Sequence, residues 1–123
     1  MKKEAKAQVL LNQYLRESKF YGFFELKYTE TSSFAFSKIE LVQYQGLQAT
    51  EKSGLVWKMS DQDSRPKPCD TMSIPPLPSY LVISFTKTFY FIRFKTIVDM
   101  REDGRIAITL EDAKKVAEKI VNY

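Results

Sequence analysis

The chain contains no histidine and one cysteine, Cys69. Without histidine there is no Ser-His-Asp triad, no Cys-His pair and no His-bearing zinc site. One cysteine makes neither an internal disulfide nor a Cys-cluster zinc site. Cys69 has no His-type base to activate it, so nucleophilic catalysis by it is set aside. An enzyme built from this sequence works with carboxylates, lysines, hydroxyls and a hard metal ion. Also missing is any apolar run long enough to span a membrane. Met1-Lys2-Lys3-Glu4 leads into an amphipathic pattern and not into a signal peptide, so no membrane contact and a cytoplasmic location are expected. Internal repeats and low-complexity segments are lacking as well.

What is present describes an ordinary folded domain. The 123 residues are enough for one domain with its own core. Most of the nine Phe and seven Tyr sit inside apolar runs and are expected in that core, as is the lone Trp57 at mid-strand. The formal net charge of +4 leans towards polyanionic partners.

Residues 3–18 read as a helix. Ala7, Leu10, Leu11, Tyr14 and Leu15 make one apolar stripe. Glu4, three residues before Ala7, lies at the head of that stripe, where it either complements the helix dipole or faces something that needs a carboxylate. Residues 20–28 read as a strand with Tyr21, Phe23, Glu25 and Lys27 on one face and Gly22, Phe24, Leu26 and Tyr28 on the other. Being apolar on both faces, it is expected to be central and covered on both sides. Ser37 and Glu40 form a Ser-x-x-Glu capping box before a helix. Ile39, Val42, Gln43, Gly46 and Leu47 lie along one side of that helix, and Gly54 ends it in the left-handed conformation. Leu55–Met59 is a short strand. Residues 60–78 hold all five prolines and read as a long loop or arm. Tyr80–Phe85 and Thr88–Phe94 form an antiparallel hairpin turning at Thr86-Lys87, in the interior of a sheet. Thr109 caps a last helix with Ala113, Val116, Ala117, Ile120 and Val121 as its stripe. The order α-β-α-β-loop-β-β-α predicts an α/β or α+β fold, a mixed sheet flanked by helices.

Glu25-Leu26-Lys27 is the constellation that carries chemistry. The two charges share one face, roughly 6–7 Å apart along the strand. A carboxylate binds Mg²⁺ through oxygen, and the neighbouring ammonium orients water or stabilises charge on a phosphate. Glu17-Ser18-Lys19 repeats the spacing, but at a helix end where both groups are solvated. Glu25 and Lys27 instead sit among Phe23, Phe24 and Tyr28, where a charge pair costs several kcal/mol unless paired or coordinated. The plain alternative is that the two are only an ion pair.

The spacing beyond this strand is similar to that of a known family. Glu25-Leu26-Lys27 is followed by Ser33-Phe34, then nine residues on by Gln43, then eleven residues on by Gly54 before a strand. This resembles the second half of RecU-type Holliday junction resolvases, members of the PD-(D/E)xK nuclease superfamily, with Tyr80–Phe94 and Gly104-Arg105 before Ile108 similar more loosely. The resemblance implies a single restriction-endonuclease-like domain over 1–123 and a Mg²⁺- or Mn²⁺-dependent DNA endonuclease, a junction resolvase, cutting double-stranded or branched DNA as a C2 homodimer. It implies Glu25, Lys27 and Gln43 as catalytic residues, and Glu4 as a helix-borne carboxylate at the metal. The family also carries an Asp on a strand before its E-x-K strand, and no Asp precedes Glu25 in this chain. Asp70, in Lys67-Pro68-Cys69-Asp70, is the expected replacement as a metal ligand, ahead of Asp61 and Asp63. Lys3, Lys6, Arg65 and Lys67, with Lys2 and Lys87, are candidate phosphate contacts. The rival reading is a non-catalytic DNA- or protein-binding module that keeps the nuclease fold.

Overall fold

The computed structural model describes residues 2–60 and 67–123. In chain order the elements are α1 (Lys3–Ser18), β1 (Phe23–Thr29), β2 (Ser33–Ala35), α2 (Leu41–Ser53), β3 (Leu55–Lys58), β4 (Thr71–Ile74), β5 (Ser79–Phe85), β6 (Thr88–Arg93), α3 (Phe94–Glu102), β7 (Ala107–Thr109), α4 (Leu110–Val116) and β8 (Lys119–Asn122). Arg65, Asp61 and Asp63 lie outside the described residues. The fold is mixed α/β, with a four-stranded mixed sheet ordered β1-β5-β6-β8. No helix among the described residues is long and apolar enough to cross a membrane.

Every residue of β5 is buried, because the strand is sandwiched on both faces and paired on both edges. Leu81, Ile83 and Phe85 join Phe34, Phe36, Ile92, Phe94, Ile97 and Ile108 in one cluster. Tyr80 and Val82 join Ala7, Leu11, Leu26, Phe89 and Phe91 in the other, under α1. Strand alternation sends successive side chains to opposite faces, so one strand feeds both cores. β5 and β6 turn at Thr86 and Lys87, both at positive φ (42° and 56°), the backbone that two-residue hairpin turns require.

β1 is an edge strand and not a central one. Among the described residues it pairs with β5 alone, in parallel, with Glu25 opposite Leu81 and Lys27 opposite Ile83. Apolar residues on both faces report helices above and below. They say nothing about strands at the sides, since side chains and backbone hydrogen bonds point along perpendicular directions.

The start of α2 falls three residues later than the Ser37–Glu40 box predicts. Phe36 and Ile39 are both buried, which holds Phe36–Lys38 in a 3-10 turn. Glu40 then becomes the N-cap, in a reciprocal box with Gln43. The inward side runs through Gln43, Tyr44 and Leu47, so Val42 is 78% exposed. Gly54 closes the helix at φ 74°, ψ −162°, which is positive φ but not the left-handed helical conformation. A Cβ there would lie 2.2 Å from the Ile74 carbonyl oxygen, so only glycine fits.

The stretch expected as a loop contains β4, which pairs antiparallel with β3 in a separate two-stranded sheet. Trp57, on that ribbon, is 56% exposed and not a core residue. The last helix also ends early. Ala117 turns to extended backbone, the Glu118 amide donates to the Phe91 carbonyl at 2.9 Å, and Ile120 and Val121 continue as β8 along the free edge of β6.

Candidate functional site

Glu25 and Lys27 project from β1 on the α2 side of the sheet, the side of their register partners Leu81 and Ile83. An edge strand lets polar heads emerge past the sheet's rim while their stems stay covered. The side chains are 29% and 17% exposed, and Lys27 Nζ lies 3.7 Å from Glu25 Oε1. From α2, Gln43 Nε2 donates to the same Glu25 oxygen at 2.6 Å. The amide is oriented at its other end too, since Gln43 Oε1 accepts from the Glu40 backbone N–H at 3.3 Å. One side chain thus closes the capping box and holds the carboxylate. The depression in front of it, about 390 Å³, is bordered by Gly22, Glu25, Gln43, Gly46 and Thr50.

Burial pushes the Glu25 carboxyl above its ordinary range. The Lys27 ammonium works against that shift, while the charges of Glu40 and Glu4 add to it. Desolvation is the largest contribution, and together with the two carboxylates it outweighs the salt bridge, so Glu25 sits where a proton or another cation is favoured. Glu4 is exposed at the head of α1, but its charge acts on Glu25.

Asp70 does not border this depression. The carboxylates weighing most on Glu25 are Glu40 and Glu4. Asp70 lies at the foot of β4, its side chain 84% exposed and paired with Lys67 Nζ at 3.0 Å, and its carbonyl accepts from the Met59 amide at 2.8 Å. Among the described residues no group of three or more Cys, Asp or Glu side chains is placed to hold a metal ion. Lys3 pairs with Glu30 at 2.8 Å, and Lys6 lies near it on α1, both away from the Glu25 depression. Cys69 is exposed.

Two features escape a reading of the sequence. Glu40 stands out there as a cap residue, but its charge on Glu25 depends on where α2 docks. The second is a half-buried network around Arg93. Its Nη2 lies 2.6 Å from Glu51 Oε1, and Nη1 lies 3.8 Å from Glu118 Oε1. The Ser79 amide donates to Glu51 at 3.2 Å, and the Tyr80 hydroxyl donates to Glu118 at 3.0 Å. Burial first, and the bond to Glu118 second, push the Tyr80 hydroxyl up to about 12. Arginine inside the apolar run Phe89–Phe94 is the sequence signal for it.

Comparison with protein-family models, with curated proteins and with solved structures gave no match to this chain.

Proposed function

We propose that this chain is a metal-dependent DNA endonuclease, with branched DNA of the Holliday-junction type as its favoured substrate and a restriction-endonuclease-like core as its frame. The observation that carries the reading is the hydrogen bond from Gln43 to Glu25. It joins two of the side chains that the spacing marks for phosphodiester chemistry across eighteen positions of sequence, and the Lys27–Glu25 pair at 3.7 Å adds the third.

The residues present fit a magnesium or manganese ion in a limited way. Mg²⁺ is commonly held by one or two carboxylates, with water and phosphate oxygens completing its shell. Glu25 offers one such carboxylate, in a field that a cation would relieve, with Glu4 able to assist through water. Asp70, engaged by Lys67, is left out of that set. Bound there, such an ion would neutralise phosphate charge and acidify a water molecule. The chain's own groups do the rest. Lys27 holds a water or a developing negative oxygen by its ammonium. Gln43 keeps the Glu25 carboxylate in one orientation, and the walls of the depression limit its solvation.

A second reading has one observation in its favour: among the described residues no three acidic groups are placed to hold a metal ion. A non-catalytic DNA- or protein-binding module would need none. Incubating four-way junctions and linear duplexes with the protein, with Mg²⁺, Mn²⁺ or a chelator, separates the two. Cleavage that needs the metal, falls on the order of 100-fold or more in Lys27→Ala, and leaves DNA affinity intact supports the nuclease. A folded protein that binds DNA and cuts neither substrate with either metal is the module. Symmetrical cuts across a junction would require a C2 dimer, which light scattering reads.

A further inference from the structure

A larger cavity, of about 500 Å³, opens where the start of α1, the end of β1 and the β5–β6 turn meet Tyr123. Its size lies within the range of small-molecule sites, roughly 300–1,000 Å³. Tyr28 and Tyr123 give it flat aromatic walls, and Leu10 lines it from α1. Tyr123 is held in place, its ring stacked on Phe89 at 4.2 Å and its amide donating to the Lys87 carbonyl at 2.8 Å.

Three lysines, Lys3, Lys6 and Lys87, also line the cavity, against one side-chain carboxylate, Glu30. Glu30 accepts from both Lys3 Nζ (2.8 Å) and the Tyr28 hydroxyl (3.3 Å), so Lys3 is spoken for. Among the described residues, neither Lys6 nor Lys87 has a carboxylate within ion-pair distance. Lys87 is delivered by a turn in which neither central residue is glycine or asparagine, although both have positive φ, a conformation that a β-branched Thr86 adopts at a cost.

Two unpaired cations beside aromatic faces suit a ligand that is both anionic and flat. We propose that this cavity binds a nucleoside monophosphate unit, with its base against Tyr28 and Tyr123 and its phosphate between Lys6 and Lys87. Inorganic phosphate would leave the aromatic walls unused, and a neutral nucleoside would leave the lysines unused. The inference does not rest on cleavage at Glu25, since the two sites share no lining residue.

Calorimetric titration of the full chain tests it with dAMP, deoxyadenosine, inorganic phosphate and 5′-phosphorylated oligo(dT) as probes. The expected result is tighter binding of dAMP than of deoxyadenosine or phosphate. Lys6→Ala and Lys87→Ala should each weaken dAMP about fivefold, the worth of one exposed charge-assisted contact. Tyr28→Leu should weaken dAMP and leave phosphate unchanged. Glu30→Gln should tighten dAMP by releasing Lys3. Competition by the oligonucleotide supports a nucleotide at a strand end as the occupant. Its failure alongside dAMP binding supports a free nucleotide. Phosphate binding as tightly as dAMP would overturn the base contact, and a folded Lys6→Ala/Lys87→Ala variant that binds dAMP like the wild type would overturn the site.

Discussion

At Glu25 the cost of burial, with the charges of Glu40 and Glu4, exceeds what Lys27 returns, and this has a measurable consequence. Its folded-state pKa is raised, so folding favours the protonated form. The stability this contributes is fully present below the unfolded carboxyl's pKa and is lost as pH rises through the raised folded value. At neutral pH the ionised carboxylate is therefore a net liability to the fold. Glu25→Gln should melt higher than the wild type at neutral pH, with the gap closing as pH falls through the carboxylate range. Thermal melts across pH check this, and a lower melting point at neutral pH would show that the bond from Gln43 and the Lys27 pair outweigh desolvation. Glu25-Leu26-Lys27 stands apart from Glu17-Ser18-Lys19 in the sequence through its aromatic neighbours. The direction of its pKa shift does not, because that depends first on how deeply the packed elements bury the carboxyl, with the charges of Glu40 and Glu4 from other elements adding to it.

Helix α2 shows how a local signal is used differently once tertiary contacts act. Ser-x-x-Glu at 37–40 is a valid capping pattern, yet the burial of Phe36 and Ile39 holds that stretch in a 3-10 turn and hands the cap to Glu40. Gln43→Leu removes the reciprocal half of that box and the bond to Glu25 together. A loss of about 1 kcal/mol is expected from the cap, read by chemical denaturation. At the helix's other end, Gly54→Ala combines positive φ with a Cβ 2.2 Å from the Ile74 oxygen. It should cost more than about 2 kcal/mol and move the β3–β4 ribbon, and an unchanged denaturation midpoint would contradict that geometry. Helix α4 is the simpler case. Thr109 accepts from the Asp112 amide at 3.1 Å as its pattern predicts, and Thr109→Ala should cost about 1 kcal/mol.

For the whole molecule, two cores share one sheet, and β5 is common to both. Ile83→Ala should cost about 2–5 kcal/mol in a single unfolding transition, since loss on one face removes a strand that the other face needs. Separate transitions for the two faces would show them to be independent. On the proposed function, DNA should bind this positively charged chain less tightly as salt rises. Charge removal at Lys3, Lys6 and Lys67 should flatten that dependence by about one unit for each phosphate no longer neutralised.

Helix α1, the β5–β6 hairpin with its turn, the Thr109 cap and the pairing of Glu25 with Lys27 on one face all follow from the sequence by itself. Each rests on periodicity, backbone preference or side-chain alternation within a few residues of chain. The edge position of β1, the strand at 119–122, the exposure of Trp57 and the place of Asp70 outside the Glu25 depression were decided only by the tertiary structure. These depend on which strand lies alongside which. Residues 119–122 are apolar enough to extend a helix, and they became a strand because β6 offered an edge whose hydrogen bonds this segment completes.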